Sequence, residues 1–239
     1  MCANYQPVTR MDRMLTYFGV ERARDELPQE VFPTGLAPFI RRAEDGSGNK
    51  RVDDGAFGLL PFFAKEVAYG RRTYNARSET VATLPSFRDA WKRGQRCIVP
   101  AEAIFEPNWE TGQAVRWRIS QDGEVPMAIA GLYTRWRHPD GHELFSFAML
   151  TVNADGHPVM QRFHKPDDEK RMVVILDPAE QDRWLACTPA EAVAFFRPWM
   201  GPLRAEPAPL VRPPRAAAPG ALPKAQPRPG AGPQTGSLF

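Results

Sequence analysis

Seven apolar runs of strand type, at residues 37–43, 55–60, 96–99, 115–119, 127–133, 145–152 and 172–176, follow one another with turn residues between them. Most of the intervals are too short for the crossover helix that joins parallel neighbours, so the runs are expected to pair mainly antiparallel. Helix signals are fewer. Thr9 is placed to cap a short helix whose apolar positions Met11, Met14, Leu15 and Phe18 share a face. Ser86 is placed to cap another, through Lys92, that stops at Gly94. Thr188-Pro189-Ala190-Glu191 is a capping box with proline at the first helical position, opening a helix through Phe196. The pattern predicts an α+β fold, one compact domain with a mainly antiparallel, barrel-like β core and peripheral helices.

With 239 residues, 43% of them hydrophobic, the chain can bury one sizeable core. No apolar run approaches the roughly 18 residues of a membrane span, and the first twenty residues lack a signal-peptide layout, so no membrane partner and a cytoplasmic location are expected. Cys2, Cys97 and Cys187 are odd in number and widely spaced, which fits neither a disulfide framework nor a zinc site. Net charge is +3, but the segment from Gly201 onward contributes +4, with five cations against Glu206 alone, leaving −1 for the rest. Affinity for nucleic acid must then come from local clusters of cations. Residues 202–239 hold ten of the 25 prolines and little apolar periodicity, which reads as a disordered, weakly basic tail following a domain at 1–200.

Cysteine directly after Met1 carries its own chemistry. Removal of the initiator gives Cys2 an amine, of pKa about 7.7–8.0, on the same residue as a thiol of pKa near 8.5. An aldehyde captured by that amine as a Schiff base can be closed on by the thiol into a five-membered thiazolidine. The bland alternative is an inert apolar cysteine near a chain end.

Three further segments interrupt apolar runs with polar groups: Tyr74-Asn75-Ala76-Arg77-Ser78-Glu79-Thr80, Ile104-Phe105-Glu106-Pro107, and Met149 to Ala154 leading into His164 and Lys170-Arg171-Met172. With Cys2, Phe57-Gly58-Leu59-Leu60-Pro61 and Arg96-Cys97-Ile98-Val99-Pro100, these motifs stand in an order that resembles the SRAP (SOS-response-associated peptidase) family over about residues 1–200. The resemblance implies a β-rich fold with a positively charged cleft. It also implies binding of single-stranded DNA and covalent capture of an abasic-site aldehyde by the cysteine exposed on Met1 removal, with no metal or organic cofactor.

Carried over on that resemblance, Cys2 is the nucleophile, Asn75 orients it or the sugar, Glu106 handles protons at the amine and His164 handles the sugar oxygens. A carboxyl flanked by Ile104, Phe105 and Pro107 suits proton transfer at the amine, and an imidazole suits the ring oxygen. His157 is a rival for the late histidine. Arg77 is expected on an extended loop beside the lesion phosphate, with Arg162 and Arg171 extending the cationic track and Phe62 and Phe63 as stacking or core residues. The expected state is a monomer, with replication-fork proteins as candidate partners.

Departures from the family pattern lie at Asn4, Phe57 and Pro107, and Lys165 to Glu169 stand as an insertion after His164. The phosphate contact of an arginine at position 4 is lost. Competing classes are an abasic-site lyase acting by β-elimination, an N-terminal-nucleophile thiol peptidase or amidohydrolase, and a noncovalent DNA-binding module.

Overall fold

A computed structural model describes residues 2–22, 28–138 and 140–210. Chain order runs β1 (Tyr5–Pro7), α1 (Met11–Phe18), β2 (Leu36–Arg42), β3 (Lys50–Phe57), β4 (Asn75–Arg77), α2 (Arg88–Lys92), β5 (Arg96–Asn108), β6 (Val115–Gln121), β7 (Met127–Arg137), β8 (Glu143–Asn153), β9 (Arg171–Val173), α3 (Gln181–Ala186), α4 (Pro189–Ala192) and β10 (Leu203–Pro207). Strands β2, β3, β8, β7 and β5 pair in that order, and β5 returns to β2 to close a barrel. Four seams are antiparallel, and two of them, β2–β3 and β7–β8, join strands that follow one another at short intervals. The β3–β8 seam is parallel, setting Ala56 opposite Ser146 and Phe57 opposite Phe147, which the long sequence separation of these strands permits.

Closure removes the edges that an open sheet would expose, and the buried side turns on aromatic packing. Phe147 lies 5.6 Å from both Phe39 and Phe57, and Tyr5 meets Phe57 edge-on at 5.2 Å. Such pairs add about 0.5–1.5 kcal/mol each beyond the area they bury. Outside the barrel, β1 and β6 pair with β5, while β4 and β9 pair with β8.

Gly58 makes the exit from β3 possible. Its φ is +126°, and a Cβ there would sit 2.2 Å from the Gly70 carbonyl oxygen, so only glycine lets these two segments touch. The tight approach continues into a 3-10 turn at Val67–Arg72 and then into β4, which runs parallel to β8 with Asn75 opposite Met149 and Arg77 opposite Thr151. Asn75 and Arg77 are therefore strand residues rather than members of an extended loop.

Several local expectations need correction. Helix α1 is capped at Arg10 with no side-chain bond, so Thr9 does not cap it. Met14 and Phe18 form its buried i,i+4 row; Met11 and Leu15 form the neighbouring row and are exposed. Helix α2 begins at Arg88, because the Ser86 hydroxyl is engaged with that of Tyr69 at 3.0 Å. The Thr188 capping box is present, and the helix it opens tightens into a 3-10 turn ending at Phe195. Of the run 172–176, residues up to Val173 belong to β9, and Ile175 forms an isolated bridge to Ile129.

The ordered body also passes residue 200. Strand β10 pairs with β6 from Leu203 opposite Gln121 to Pro207 opposite Trp117, because the edge of β6 offers an unpaired ladder that outweighs the proline content of the segment. Residues 211–239, the remainder of the tail expected to be disordered, lie outside the described residues.

Candidate active site

The site is assembled from both ends of the chain. Strand β1 lies against β5 with Tyr5 opposite Ile104, which draws the N-terminal residues over the barrel. Asn4 fixes them there. Its carbonyl accepts the Phe105 N–H at 3.0 Å, its Nδ2 donates to the Val31 carbonyl, and its Oδ1 accepts from Arg116 Nε at 3.2 Å and Nη2 at 2.5 Å. Arg116 is itself anchored by Glu30 and the Ala208 carbonyl and lies over the Phe105 ring.

Cys2 sits inside this clamp, only 1% exposed. Its thiol donates to the Asn4 carbonyl at 3.3 Å, and its own carbonyl accepts from Asn75 Nδ2 at 2.9 Å. Burial, and after it the charge of Glu106, push the Cys2 thiol up to about 12. This shift belongs to the chain that still carries Met1, and its main cause is burial, which strips the sulfur of the solvation that would stabilise its anion. The Cys97 thiol is likewise held well above its ordinary value by burial. Asn75 is buried, and its Oδ1 has no hydrogen-bond partner among the described residues.

Glu106 projects from β5 and is 2% exposed. His164 Nε2 lies 3.1 Å from its Oε2. The backbone makes this meeting possible: His164 adopts φ +66°, and its N–H donates to the Pro107 carbonyl at 2.9 Å, tying the segment after the 3-10 turn Met160–Arg162 onto β5. A left-handed non-glycine residue at this point is held by its surroundings. His157 is committed elsewhere. Its Nδ1 accepts from the Val159 and Met160 N–H groups, and its Nε2 lies 2.6 Å from the Trp199 carbonyl.

A cavity of about 390 Å³ reaches this group at His164 and is lined by Tyr74, Arg77, His164, Asp168, Glu169 and Arg171. Tyr74 is half-buried, and its hydroxyl is raised above its ordinary value by burial and then by the charges of Cys2 and Glu106. Arg77 pairs with Glu169 and lies 3.9 Å from Glu79. Arg171 is buried, with Glu79 at 3.0 Å, Glu169 at 2.6 Å and the Thr151 carbonyl at 2.8 Å from its guanidinium.

Of the residues singled out from sequence, Cys2, Asn75, Glu106 and His164 are brought together, and Arg77 and Arg171 line the adjoining cavity. Others lie apart. Arg162 faces outward, paired with Glu110 at 2.9 Å and stacked on Trp117. Phe62, 77% exposed, and Phe63 form an edge-to-face group with Tyr69; Phe62 lines a separate cavity with Leu60, Pro61 and Trp136. Sequence reading passed over Tyr74 and Arg116 as site residues and took Asn4 for a lost contact. The polar Asn4 beside a reactive cysteine was the available signal.

The profile of the SOS response associated peptidase (SRAP) family matches residues 1–208. The chain belongs to the SRAP family. Among its relatives, the abasic site processing protein YoqW of Bacillus subtilis is 30% identical over 191 residues, covering 77% of this chain and 80% of YoqW. The abasic site processing protein HMCES of Gallus gallus is 28% identical over 197 residues, covering 72% of this chain and 56% of its own length. A crystal structure of a Bordetella bronchiseptica protein superposes with a TM-score of 0.80 at 36% identity, over 87% of this SRAP chain and all of that one. A Bacteroides thetaiotaomicron structure, 24% identical with a TM-score of 0.72 over 85% of this chain and 90% of its own, shares the fold.

Proposed function

We propose that this SRAP protein processes abasic sites in single-stranded DNA by covalent capture at Cys2. Hydrolysis of the Met1–Cys2 peptide bond exposes the amine. The amine adds to the open-chain aldehyde and expels water as a Schiff base; the thiol then adds across the C=N bond, its proton passing to nitrogen, and closes a thiazolidine. Every atom comes from the two reactants, so no oxidant or reductant is needed.

The observation that carries this reading is the position of Cys2, with Asn75 on its carbonyl and the charge of Glu106 felt at its sulfur. Asn75 Oδ1 is an acceptor suited to the new amine. The Glu106 carboxylate takes a proton from the adding amine and passes it to the departing hydroxyl, which leaves as water, and His164, at hydrogen-bond distance from Glu106, serves the sugar oxygen. The chemistry gives the steps an order: the amine reacts first, because the ring can close only on the C=N bond, and the sulfur follows once the electrophile is fixed beside it.

Arg77 is the phosphate contact that lines the cavity, and Phe62 with Phe63 offers exposed rings for base stacking. Arg171 acts from the wall by holding the carboxylates around Arg77 in place. With DNA as substrate, action at the nucleoid follows.

The test is denaturing gel electrophoresis of trimmed protein with a single-stranded oligonucleotide carrying one abasic site. A heat-stable shifted band that needs both the lesion and Cys2 is the expected result. Strand cleavage without a band selects the β-elimination lyase. Binding that survives Cys2→Ala, with no covalent product from wild type, selects the noncovalent module and refutes capture. Glu106→Ala is expected to slow the band, and a wild-type rate in that variant removes Glu106 from the chemistry.

A further inference from the structure

Arg77, the cation best placed to receive a phosphate at the cavity mouth, already has a carboxylate on it. Glu169 Oε2 accepts from the Arg77 guanidinium, while Oε1 accepts from Arg171 Nη1 at 2.6 Å and from Asn153 Nδ2 at 3.2 Å. Burial works against the charged form of Glu169, yet the bonds from Arg171, Asn153 and Arg77 hold its carboxyl below its ordinary range, so it is an anion at neutral pH. Asp168 lines the same cavity. The segment that presents both acids is folded back on itself, with the Asp168 N–H on the Lys165 carbonyl and the Lys170 N–H on Asp155 Oδ1.

We infer that Glu169 is a specificity-determining residue that occupies the phosphate position on Arg77 and must be exchanged for a DNA phosphate before a strand can settle over the cavity. This rests on the proposed function for the identity of the DNA, but the exchange itself is a property of the ion pair. Oε1 stays on Arg171 and Asn153 while Oε2 gives up Arg77, so the exchange needs no movement of the segment. Intact strands have only electrostatic contacts to offer, and a pre-neutralised Arg77 weakens those. A lesion is retained regardless, because its capture is covalent. The gate therefore shortens residence on undamaged DNA without touching the chemical step.

The consequence is readable in salt dependence. A cation that is already paired contributes little counterion release when phosphate replaces its partner, whereas an unpaired one adds about 0.7 to the slope of log K against log salt for a single strand. Glu169→Gln is expected to tighten binding of an intact single-stranded oligonucleotide about two- to fivefold, the range set by loss of one exposed ion pair, and to steepen the slope by up to about 0.7, with Glu79 still 3.9 Å from Arg77.

The control is Glu143→Gln. Glu143 pairs with Arg137 at the start of β8, eight residues from Thr151 and so about 27 Å along the strand, and it removes the same unit charge away from the cavity. An unchanged affinity and slope in Glu169→Gln, or an equal gain in both variants, overturns the gate. Because the oligonucleotide is intact, this outcome is independent of whether wild type forms the covalent band, and loss of that band refutes capture while leaving the gate to the binding data.

Discussion

The buried state of Cys2 makes a quantitative claim about its reactivity. With a thiol pKa of about 12 against an ordinary 9.0, the fraction present as thiolate at pH 8 is about one in ten thousand instead of about one in ten, a thousandfold deficit from ionisation alone. Alkylation of native protein by iodoacetamide, followed by mass spectrometry of the N-terminal peptide with and without Met1, reads this directly for the Met1-bearing form. The rate is expected to be at least a thousandfold below that of a cysteine peptide and to rise about tenfold per pH unit. Glu106→Gln sharpens the test. Removing the neighbouring negative charge lowers the thiol pKa and speeds alkylation, while the same substitution slows lesion capture by removing the carboxylate that carries the amine's proton to the departing hydroxyl. Alkylation of wild-type Met1-bearing Cys2 within tenfold of the free peptide at pH 8 would refute the reasoning, as would alkylation and capture moving in the same direction in Glu106→Gln.

The same raised pKa reaches stability. The unfolded chain releases the Cys2 proton above about pH 9 while the folded chain keeps it to about 12, so stability falls across that window; at pH 10.5 wild type is expected to lose about 2 kcal/mol more than Cys2→Ala, measured by urea unfolding at pH 7 and 10.5. Gly58→Ala is expected to cost about 2–3 kcal/mol or more, since its Cβ would collide with the Gly70 carbonyl at a positive φ, and a melting temperature within one degree of wild type would contradict the close approach. Arg116→Met releases Asn4 and is expected to cost about 1–3 kcal/mol and to slow capture; stability and capture rate both unchanged would remove the clamp from the account.

The barrel was legible in the spacing of apolar runs, because antiparallel seams join neighbours in sequence and leave their mark as short intervals. The parallel seams did not register. Neither β3 on β8 nor β4 on β8 leaves a local trace, and β1, β4 and β10 are three to five residues long, too short to show a period. Candidate site residues were legible as polar interruptions of apolar runs, and the gathering of Cys2, Asn75, Glu106 and His164 was not, because each arrives on a different element. The 165–169 segment read as an insertion after His164, and only the fold reveals that Glu169 lands on Arg77. Asn4 illustrates the remaining gap: a residue counted as a missing cation turns out to be a buried tie between the N-terminus and Arg116.

The dispersal of these four residues along the chain also sets a clock. During synthesis, position 2 leaves the ribosome first, and Asn75, Glu106 and His164 follow in that order. At about 5–20 residues per second, the 162 positions between Cys2 and His164 take roughly 8–30 s to appear. Until then the nascent cysteine lacks the complete set of carbonyl clamp, carboxylate and imidazole, so a chain still being made carries a less shielded thiol, and the fully buried one belongs only to the finished domain.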